Sequence, residues 1–463
     1  MTLDAVAESS FAKLDEKPFS RFHVLAMFTT GMGVFTDGYD LSSIGLVLPL
    51  CLASFGVDHI TGLQSGLLTG SALVGSVIGA LLFGWLAQKG RKRFYGIDVG
   101  IMAAAAGVQA FAPNIWALIA IRFVLGIGVG ADYVLSPTIM AEHANVKDRG
   151  KKLGFGFGAM WNFGAIFAGI VLVLLRQLGI SGDLQWRIVL GFGAVPALSV
   201  LTLRRRMPET ARFLARVEGN TGKAREVLED ITGAAVESAP LTDKRAWREL
   251  FAKHARGVLG AALLWMVYDI VLYSGVLFGP SVIAEGLHMG EVAFTLLVYA
   301  ALQTPGTLLG CLLVDRVGRR TMTALGFGLC ALGLFAFAPM LGNTASAPIL
   351  TFAMFSLYNF SLSLGPGAIS GAGLLGVELA PTRIRSIAQS LTVVGGRIGA
   401  ALAAFVFPEL LGAIGRTSLL LALAGVSLFG AAVTFFVVPE TARRSLEEIN
   451  GDTDAAIAGA AID

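Results

Sequence analysis

The chain has 463 residues, of which 55% are hydrophobic and 14% are charged, and its formal net charge is +3. Soluble proteins carry about 25% charged residues, so this chain lacks the charge to cover the surface of a soluble fold of its size. The five histidines and three cysteines form no metal-binding or disulfide pattern. The composition therefore excludes a soluble globular protein and predicts an all-α membrane protein.

Apolar runs of about 20 residues, the length that crosses a bilayer, recur along the whole chain. We predict twelve membrane-spanning helices near residues 22–50, 63–88, 94–113, 115–140, 153–175, 185–203, 258–285, 291–313, 321–341, 346–378, 386–410 and 416–438. The first, seventh and tenth runs exceed what a bilayer requires, which predicts tilted or broken helices. Residues 1–21 are polar and contain no hydrophobic signal region, so a cleaved signal peptide is not expected.

Basic residues are concentrated in alternate loops, above all in residues 204–257, which contain twelve Lys and Arg residues. The positive-inside rule places such loops in the cytoplasm, so we expect a multi-pass protein of the cell (inner) membrane with both termini cytoplasmic. The charge pattern also predicts the domain boundaries. They are a cytoplasmic segment at 1–21, a six-helix bundle at 22–203, a cytoplasmic linker at 204–257, a second six-helix bundle at 258–438 and a cytoplasmic tail at 439–463.

Three landmarks of the first half recur in the same order in the second, which predicts an internal duplication. The segment 84–92 after the second run corresponds to 310–320 after the eighth. Glu142, followed by Arg149, corresponds to Glu378, followed by Arg383 and Arg385. The Pro-Glu-Thr sequence at 208–210 recurs at 439–441.

These landmarks resemble the major facilitator superfamily, and more narrowly its sugar porters, phosphate:proton symporters and organic-ion transporters. The resemblance implies the major facilitator fold, with 12 transmembrane helices in two six-helix bundles, and loop charges that latch the cytoplasmic face. Arginine forks and carboxylates at helix ends can pair bidentately; solvated stop-transfer charges are the alternative. The latch residues are then Arg91, Glu142, Arg149, Asp315, Arg316, Arg319, Glu378, Arg383 and Arg385. Gln88 stands where the family usually has Asp, so we expect a weaker or differently paired latch in the first half.

Ionisable residues within the apolar runs are functional candidates, because each costs about 2.5–3.5 kcal/mol on insertion scales. Asp37 and Asp40 lie three residues apart and therefore on one helix face. Buried carboxyl groups can take up and release protons, and we predict this role for Asp37 and Asp40, with Asp132 and Asp269 as further candidates. The alternative for the first pair is a hydrogen bond to free backbone amides beside Gly38.

A second set of residues suggests a solute site. Trp265, Asp269 and Tyr273 are spaced i, i+4 and i+8, so they form one stripe on the seventh helix. Arg397, in the middle of the eleventh run, is either an anion-binding group or the counter-ion of a carboxylate across the cavity. Arg122 in the fourth run either pairs with an Asp or reaches the membrane interface.

The resemblance sharpens this set. Asp37, Asp40, the Gly-x-Asp-Tyr sequence at 130–133 and the stripe on the seventh helix are similar to phosphate:proton symporters, whose equivalent positions bind phosphate or relay protons. The Asp-Gly-x-Asp sequence also marks aromatic-acid:proton symporters. Trp161 stands where those phosphate symporters have Gln, Gly367 where they have Asn, and Arg397 where they have Lys. The predicted substrate-binding residues are Tyr133, Trp161, Trp265, Asp269, Tyr273 and Arg397.

The loss of two hydrogen-bonding side chains favours a larger, partly apolar anion over phosphate. We therefore expect a proton-coupled symporter of a small organic carboxylate that works by alternating access. Inorganic phosphate:proton symport is the first alternative, proton antiport stays open, and a non-transporting membrane sensor is an alternative of another class. We expect the protein to be a monomer in the lipid bilayer. We expect it to bind no metal or other cofactor and no nucleic acid. An enzyme is not expected, since no nucleophile constellation appears.

Overall fold

The computed structural model describes residues 10–57, 60–236, 240–279, 283–341 and 346–459, and these residues are almost entirely helical, without a β-strand among them. Twelve helical spans follow one another along this part of the chain. They are α1 Arg21–Ser54, α2 Gly62–Leu86, α3 Ile97–Gln109, α4 Ile115–His143, α5 Arg149–Gln177, α6 Gly182–Arg206, α7 Trp247–Phe278, α8 Glu291–Val317, α9 Arg319–Phe337, α10 Pro348–Glu378, α11 385–414 and α12 416–437.

Nine helices of the described part are long and apolar enough to cross a membrane. One of them, Arg385–Val437, contains both α11 and α12, because the backbone leaves the helical region at Gly415, with φ 76° and ψ 170°. The helices α1, which contains two aspartates, and α3, which has 13 residues, lie outside that set. The all-helical fold that the apolar runs predict is confirmed.

Several predicted boundaries are displaced. The third span begins at Ile97 rather than near residue 94, because Gly96 adopts φ 106° and separates it from the short helix Arg91–Phe94. The helix α6 extends to Arg206 and α7 begins at Trp247, so both ends of the predicted 204–257 linker are helical continuations of the spans. Parts of the predicted 258–285 span and of the terminal segments 1–21 and 439–463 lie outside the described residues.

The first six and the last six spans meet along a central seam. The helix α2 packs against α11, and α5 packs against α8 and α10. Along the seam, α5 and α10 each contain a π-helical segment, Gly154–Ala159 and Ser363–Gly371, and these two segments contact each other. Such π-helical segments are rare and are frequent at functional sites.

The distribution of polarity is the reverse of that in a soluble protein. Large apolar side chains such as Phe429 and Phe436 are 52% and 73% exposed on the outer surface of the bundle. Arginine and aspartate side chains such as Arg204, Arg397 and Asp37 are buried inside it. This pattern suits a bundle whose outer surface faces lipid acyl chains.

Short helices cover the end of the bundle that carries the basic loops, here called the basic face. They are Ala12–Glu16, Ala211–Phe213 with Leu214–Glu218, Thr221–Thr232, Leu446–Asn450 and Asp454–Gly459. Arg212 binds Asp15 and Glu447, each at 2.7 Å, and Arg216 binds Asp454 at 2.6 Å. The N-terminal segment, the linker and the tail are therefore joined by buried ion pairs.

Candidate functional site

A small cavity lies where the middle portions of α4, α5, α7, α8, α10 and α11 meet. Its volume, counted as space for the centres of water-sized molecules, is about 20 Å³, which is room for about one water. The six residues predicted to bind substrate all contribute to its wall. They are Tyr133, Trp161, Trp265, Asp269, Tyr273 and Arg397. The structure thus brings these residues from four helices to one place, while their role stays a prediction.

Arg397 is the only arginine or lysine of the described residues that lines this cavity, and it is 1% exposed. Its Nη1 donates to the Tyr273 hydroxyl at 2.9 Å and to Asp269 Oδ2 at a long 3.4 Å. Its guanidinium carbon lies 4.3 Å from the centre of the Tyr133 ring, and its Nε has no hydrogen-bond partner within the described ranges. The guanidinium is therefore held in place by aromatic rings but has an unused donor.

Aromatic rings form much of the remaining wall. Tyr133 meets Trp265 edge to face at 5.8 Å between ring centres, and Trp161 meets Tyr273 in the same way at 6.4 Å. The Trp161 ring also contacts Tyr299, at 5.6 Å. The cavity therefore combines one cation and one carboxylate with large amphipathic side chains, an arrangement that suits a small ligand with both polar and apolar surface.

Three polar residues of the wall were not predicted from the sequence. Asn162 of α5 donates to the Thr307 hydroxyl of α8 at 3.1 Å, so this pair connects the two halves beside the cavity. Tyr268 of α7 also lines the cavity. Its position three residues after Trp265 puts it beside the stripe already recognised on that helix, and this i, i+3 spacing could have identified it.

Asp37 and Asp40 are completely buried in α1, and neither lines the cavity. Neither carboxyl group has a hydrogen-bond partner in the part of the chain that the structure describes. Asp40 faces Gly193, at the interruption between the two pieces of α6, where an added Cβ would collide with the carboxyl group. Backbone amides beside Gly38, the alternative from the sequence, are therefore not bonded to either side chain.

Asp132 lies in a buried ion-pair group that the sequence did not suggest. Arg204 Nη1 binds Asp132 Oδ1 at 2.5 Å and Asp98 Oδ2 at 2.6 Å, and all three side chains are fully buried. The charge pattern predicts Arg204 in the linker, and no feature of the sequence singles out Asp98. A Cβ at Gly33 would collide with Asp132 and Arg204, so this ion-pair group packs directly against α1 at Gly33. Asp37 lies four residues later and therefore on the same face of α1, one turn beyond the group.

Arg122 lies away from the membrane interface, and the charge that acts on it most strongly among the described residues is that of Asp40. It is completely buried in α4, so it does not reach the membrane interface. Its Nε donates to the Leu68 carbonyl and its Nη1 to Gln109, at 3.2 Å each, and no carboxylate within the described residues forms an ion pair with it.

The predicted latch residues form two matching clusters at the basic face. Glu142 of the first half binds Arg91 of its own half and Arg385 of the other, both at 2.8 Å. Glu378 of the second half binds Arg319 of its own half at 2.9 Å and Arg149 of the other at 2.7 Å.

The threonines of the two Pro-Glu-Thr sequences complete the correspondence. Thr210 donates to Glu142 and Thr441 donates to Glu378, both at 2.5 Å. Each cluster is thus a copy of the other, and each contains one ion pair that crosses the seam.

The loops after α2 and α8 differ as the sequence suggested. Asp315 pairs with Arg319 at 2.8 Å and accepts hydrogen bonds from the backbone amides of Gly150 and Lys151, at the start of α5. A carboxylate at a helix N-terminus is favourable because it interacts with free N–H groups and the helix dipole. In the other half, Gln88 donates instead to the Ser386 hydroxyl at 2.5 Å, so the contact across the seam persists in a neutral form.

Two of the predicted latch residues do not form ion pairs within the described residues. Arg316 is exposed and borders a groove on the basic face. Arg383 donates to the backbone carbonyl of Asp243 in the linker. Their positions were predicted from their place beside the landmark sequences, and only the packing of the loops decides which arginine faces a carboxylate.

Known proteins resemble this chain over nearly its whole length. The sequence is 31% identical to inorganic phosphate transporter 1-11 of Oryza sativa subsp. japonica, covering 97% of this chain and 92% of that protein. It is 33% identical to low affinity inorganic phosphate transporter 4 of Medicago truncatula, covering 95% and 93%. Among solved structures, the proton:xylose symporter XylE bound to 6-bromo-6-deoxy-D-glucose superposes with a TM-score of 0.79, at 21% identity over 93% of this chain and 99% of that one.

The sequence also matches the sugar (and other) transporter family over residues 26–452. This match covers both sets of six spans, the cavity and both latch clusters. The solved structure adds the major facilitator fold, whose twelve-helix arrangement the apolar runs predicted. The protein is therefore a multi-pass membrane transporter rather than an enzyme, and it belongs to the sugar (and other) transporter family of the major facilitator fold.

Proposed function

We propose that the protein is an inorganic phosphate:proton symporter that works by alternating access. The observation that carries this proposal is Arg397, a buried guanidinium at the cavity with an unused Nε donor and only a long contact to Asp269. A buried cation whose hydrogen bonds are incomplete is costly unless an anion or water completes them. An anion in the cavity would do so, and relatives about 30% identical are named inorganic phosphate transporters.

The proton would be carried by carboxyl groups of the first half. Asp37 is completely buried, and its carboxyl group forms no ion pair and no hydrogen bond among the described residues. Burial without a partner favours the neutral, protonated carboxyl group. Asp132 shares one guanidinium with Asp98, and two carboxylates on one buried cation favour the binding of a single proton. Asp37 and Asp132 would therefore carry the proton in turn, and Arg204 would stay charged and balance the carboxylates beside it. Asp40 and Asp269 stay further candidates.

Alternating access would come from the latch. The ion pairs Arg149–Glu378 and Arg385–Glu142 hold the two halves together at the basic face, which we assign to the cytoplasm of the cell membrane. Release of the bound solute to that side requires both pairs to separate. The two six-helix bundles, near residues 22–203 and 258–438, would then rock about the cavity. We propose that the protein does this as a monomer, with protons as the coupling ion.

A small organic carboxylate is the second candidate. The observation that favours it is the indole of Trp161, which lies in the cavity wall with Phe157 and Leu272 and offers apolar surface. We prefer phosphate because relatives of this protein are named inorganic phosphate transporters. The cavity wall also contains hydroxyl groups, which can bind phosphate oxygens. A non-transporting sensor stays the alternative of another class.

Reconstituted protein tests these proposals. Liposomes with an inward proton gradient would be given labelled phosphate, benzoate or acetate, with and without a protonophore. We expect phosphate uptake that the protonophore abolishes. Uptake of a carboxylate alone would favour the second candidate, uptake of no solute would favour the sensor, and uptake that ignores the protonophore would exclude proton symport.

Asp37→Asn tests the proton route. We expect it to abolish gradient-driven phosphate uptake while phosphate still raises the thermal unfolding midpoint of the purified variant. Asp230→Asn is the matched control, since Asp230 is exposed in the linker helix. Normal gradient-driven uptake by Asp37→Asn would remove Asp37 from the route.

A further inference from the structure

Tyr268 occupies an unusual position in the cavity wall. Its side chain is 92% buried, being 8% exposed, and it lines the cavity from α7. The hydroxyl lies 3.2 Å from the position that a Cβ would take at Gly367 and 3.2 Å from the corresponding position at Gly371. These two glycines are four residues apart in the π-helical segment of α10. Together they form a notch that receives the end of the Tyr268 ring.

The notch depends most on Gly371. A Cβ at Gly371 would come within 2.5 Å of Tyr268 Cε1 and 3.0 Å of Cζ, both atoms of the rigid ring. A ring cannot bend away as a flexible chain can, so even an alanine at position 371 would move the phenol. The position of the hydroxyl is therefore set by the backbone of α10 and not only by the rotamer of Tyr268.

The hydroxyl is also unused. Across the described ranges no hydrogen-bond partner lies beside it, although the hydroxyl of Tyr273 on the same helix accepts from Arg397. The hydroxyl is not one of the fully enclosed polar atoms of the described residues, so a molecule in the cavity that Tyr268 lines can reach it. A ligand oxygen in the cavity would supply the acceptor. The hydroxyl lies beside Gly367 and Gly371, which line the same cavity, and the packing of the ring against α10 does not by itself require a hydroxyl there.

We propose that the Tyr268 hydroxyl is a substrate-binding group that donates a hydrogen bond to an oxygen of the transported anion, and that Gly367 and Gly371 seat it for this purpose. This proposal rests on the proposed function and names a residue that distinguishes one anion class from another. A carboxylate has two oxygens in one plane, which a single guanidinium can bind bidentately. A tetrahedral oxyanion such as phosphate directs oxygens to several sides, so it needs a donor beyond Arg397. Tyr268 provides one from a different part of the wall.

The experiment compares three variants with the wild type in proteoliposomes. Tyr268→Phe removes only the hydroxyl, and Gly371→Ala keeps the hydroxyl but displaces the ring. Tyr358→Phe is the matched control, because Tyr358 is another buried tyrosine whose hydroxyl lies beside a glycine, Gly275, but away from the cavity. Initial rates of labelled phosphate uptake give KM and the maximal rate, and the shift of the unfolding midpoint with phosphate gives binding independently of transport.

We expect Tyr268→Phe to raise the KM for phosphate about tenfold to a hundredfold, the range for one hydrogen bond to a charged acceptor. Uptake should stay sensitive to the protonophore. Gly371→Ala should raise KM in the same direction, and Tyr358→Phe should leave it within about twofold.

Two results would overturn the proposal, and they differ. If the wild type takes up no phosphate, the proposed function fails and the role of Tyr268 fails with it. If the wild type takes up phosphate but both Tyr268→Phe and Gly371→Ala keep its KM and its phosphate-dependent midpoint shift, only the role of Tyr268 is refuted. A loss of the midpoint shift in monodisperse Gly371→Ala would support the proposal even if Tyr268→Phe could not be purified.

Discussion

The ion pair between Arg149 and Glu378 gives the most direct test of the latch. Arg149 of the first half binds Glu378 of the second at 2.7 Å, and its Nη2 donates to the backbone carbonyl of Arg444 at 2.9 Å. Opening of the basic face must break both contacts. Glu378 keeps two further partners, Arg319 and Thr441, so replacing Arg149 with alanine leaves no carboxylate buried alone.

The size of the effect follows from these contacts. Breaking a buried pair by removing one partner costs about 3–5 kcal/mol when the other charge is left uncompensated. Glu378 stays paired here, so we expect a smaller loss. Arg149 loses one charge-assisted hydrogen bond to Glu378 and a weaker one to the Arg444 carbonyl, which together stabilise the closed basic face by about 2–3 kcal/mol. Every 1.4 kcal/mol is a factor of ten. Arg149→Ala should therefore raise the ratio of open to closed basic face by about 30-fold to 150-fold.

A native cysteine reports this opening. Cys311 of α8 is 3% exposed, and its sulfur lies 2.9 Å from the position of a Cβ at Gly154 of α5, directly across the seam. The maleimide-labelling rate of Cys311, followed by peptide mass spectrometry, should rise with the open fraction. Cys51 and Cys330 are completely buried within single halves and should label slowly in every variant.

The control variant is Arg225→Ala, which breaks an exposed ion pair with Glu229 in the linker helix and should leave all labelling rates unchanged. Cys311 labelling in Arg149→Ala that stays within about threefold of the wild type would refute the latch argument. An equal rise at Cys51 and Cys330 would also refute it, because it would mean general loss of structure rather than opening at the seam.

Three further perturbations test other buried groups. Arg204→Leu leaves two carboxylates buried without their cation and should destabilise the protein by about 3–5 kcal/mol, seen as a lower unfolding midpoint that Arg204→Lys partly restores. Gly193→Ala places a Cβ against Asp40 and should lower both the unfolding midpoint and the uptake rate. Gly107→Ala, whose Cβ would meet open space, should change neither. Equal effects of the two variants would contradict the close approach of Asp40 to Gly193. Burial, and then the neighbouring Glu447 charge, raises the pKa of Asp452 in the tail to about 6. The charged form of Asp452 therefore destabilises the folded protein at pH 7, and this destabilisation decreases as the pH falls through 6 and the carboxylate takes up a proton. Asp452→Asn should therefore exceed the wild type in unfolding midpoint at pH 7, with a gap that narrows by pH 5; a gap independent of pH would contradict this.

The membrane fold and the acidic centres of the two ion-pair clusters could largely be predicted from the sequence. Apolar runs of bilayer length specify helices because no other backbone arrangement of a single segment satisfies its hydrogen bonds in lipid. Duplicated landmarks predict that the two halves fold alike, and Glu142 and Glu378 do occupy matching clusters. The six predicted cavity residues also converge, since charged and amphipathic side chains within spans must face the interior.

Three-dimensional packing decided the rest. Arg204 had been assigned to a loop, yet the end of α6 carries it into the bundle, where it binds Asp132 and Asp98. The choice of partner depends on distances between helices, which a sequence spacing does not contain. The same reason separates Arg319, which pairs with Glu378, from Arg316, which faces outward three residues earlier.

Gly367 shows the difference most clearly. In the sequence it marks a missing hydrogen-bonding side chain, and this argued for a larger organic anion. In the structure, the space that it leaves is occupied by the hydroxyl of Tyr268 from the facing helix. The sequence by itself thus determined that Asp37, Asp132, Asp269 and Arg397 lie within spans, and on which helices. Only the tertiary structure decided which of them meet, because a group lost from one helix can be supplied by another that packs against it.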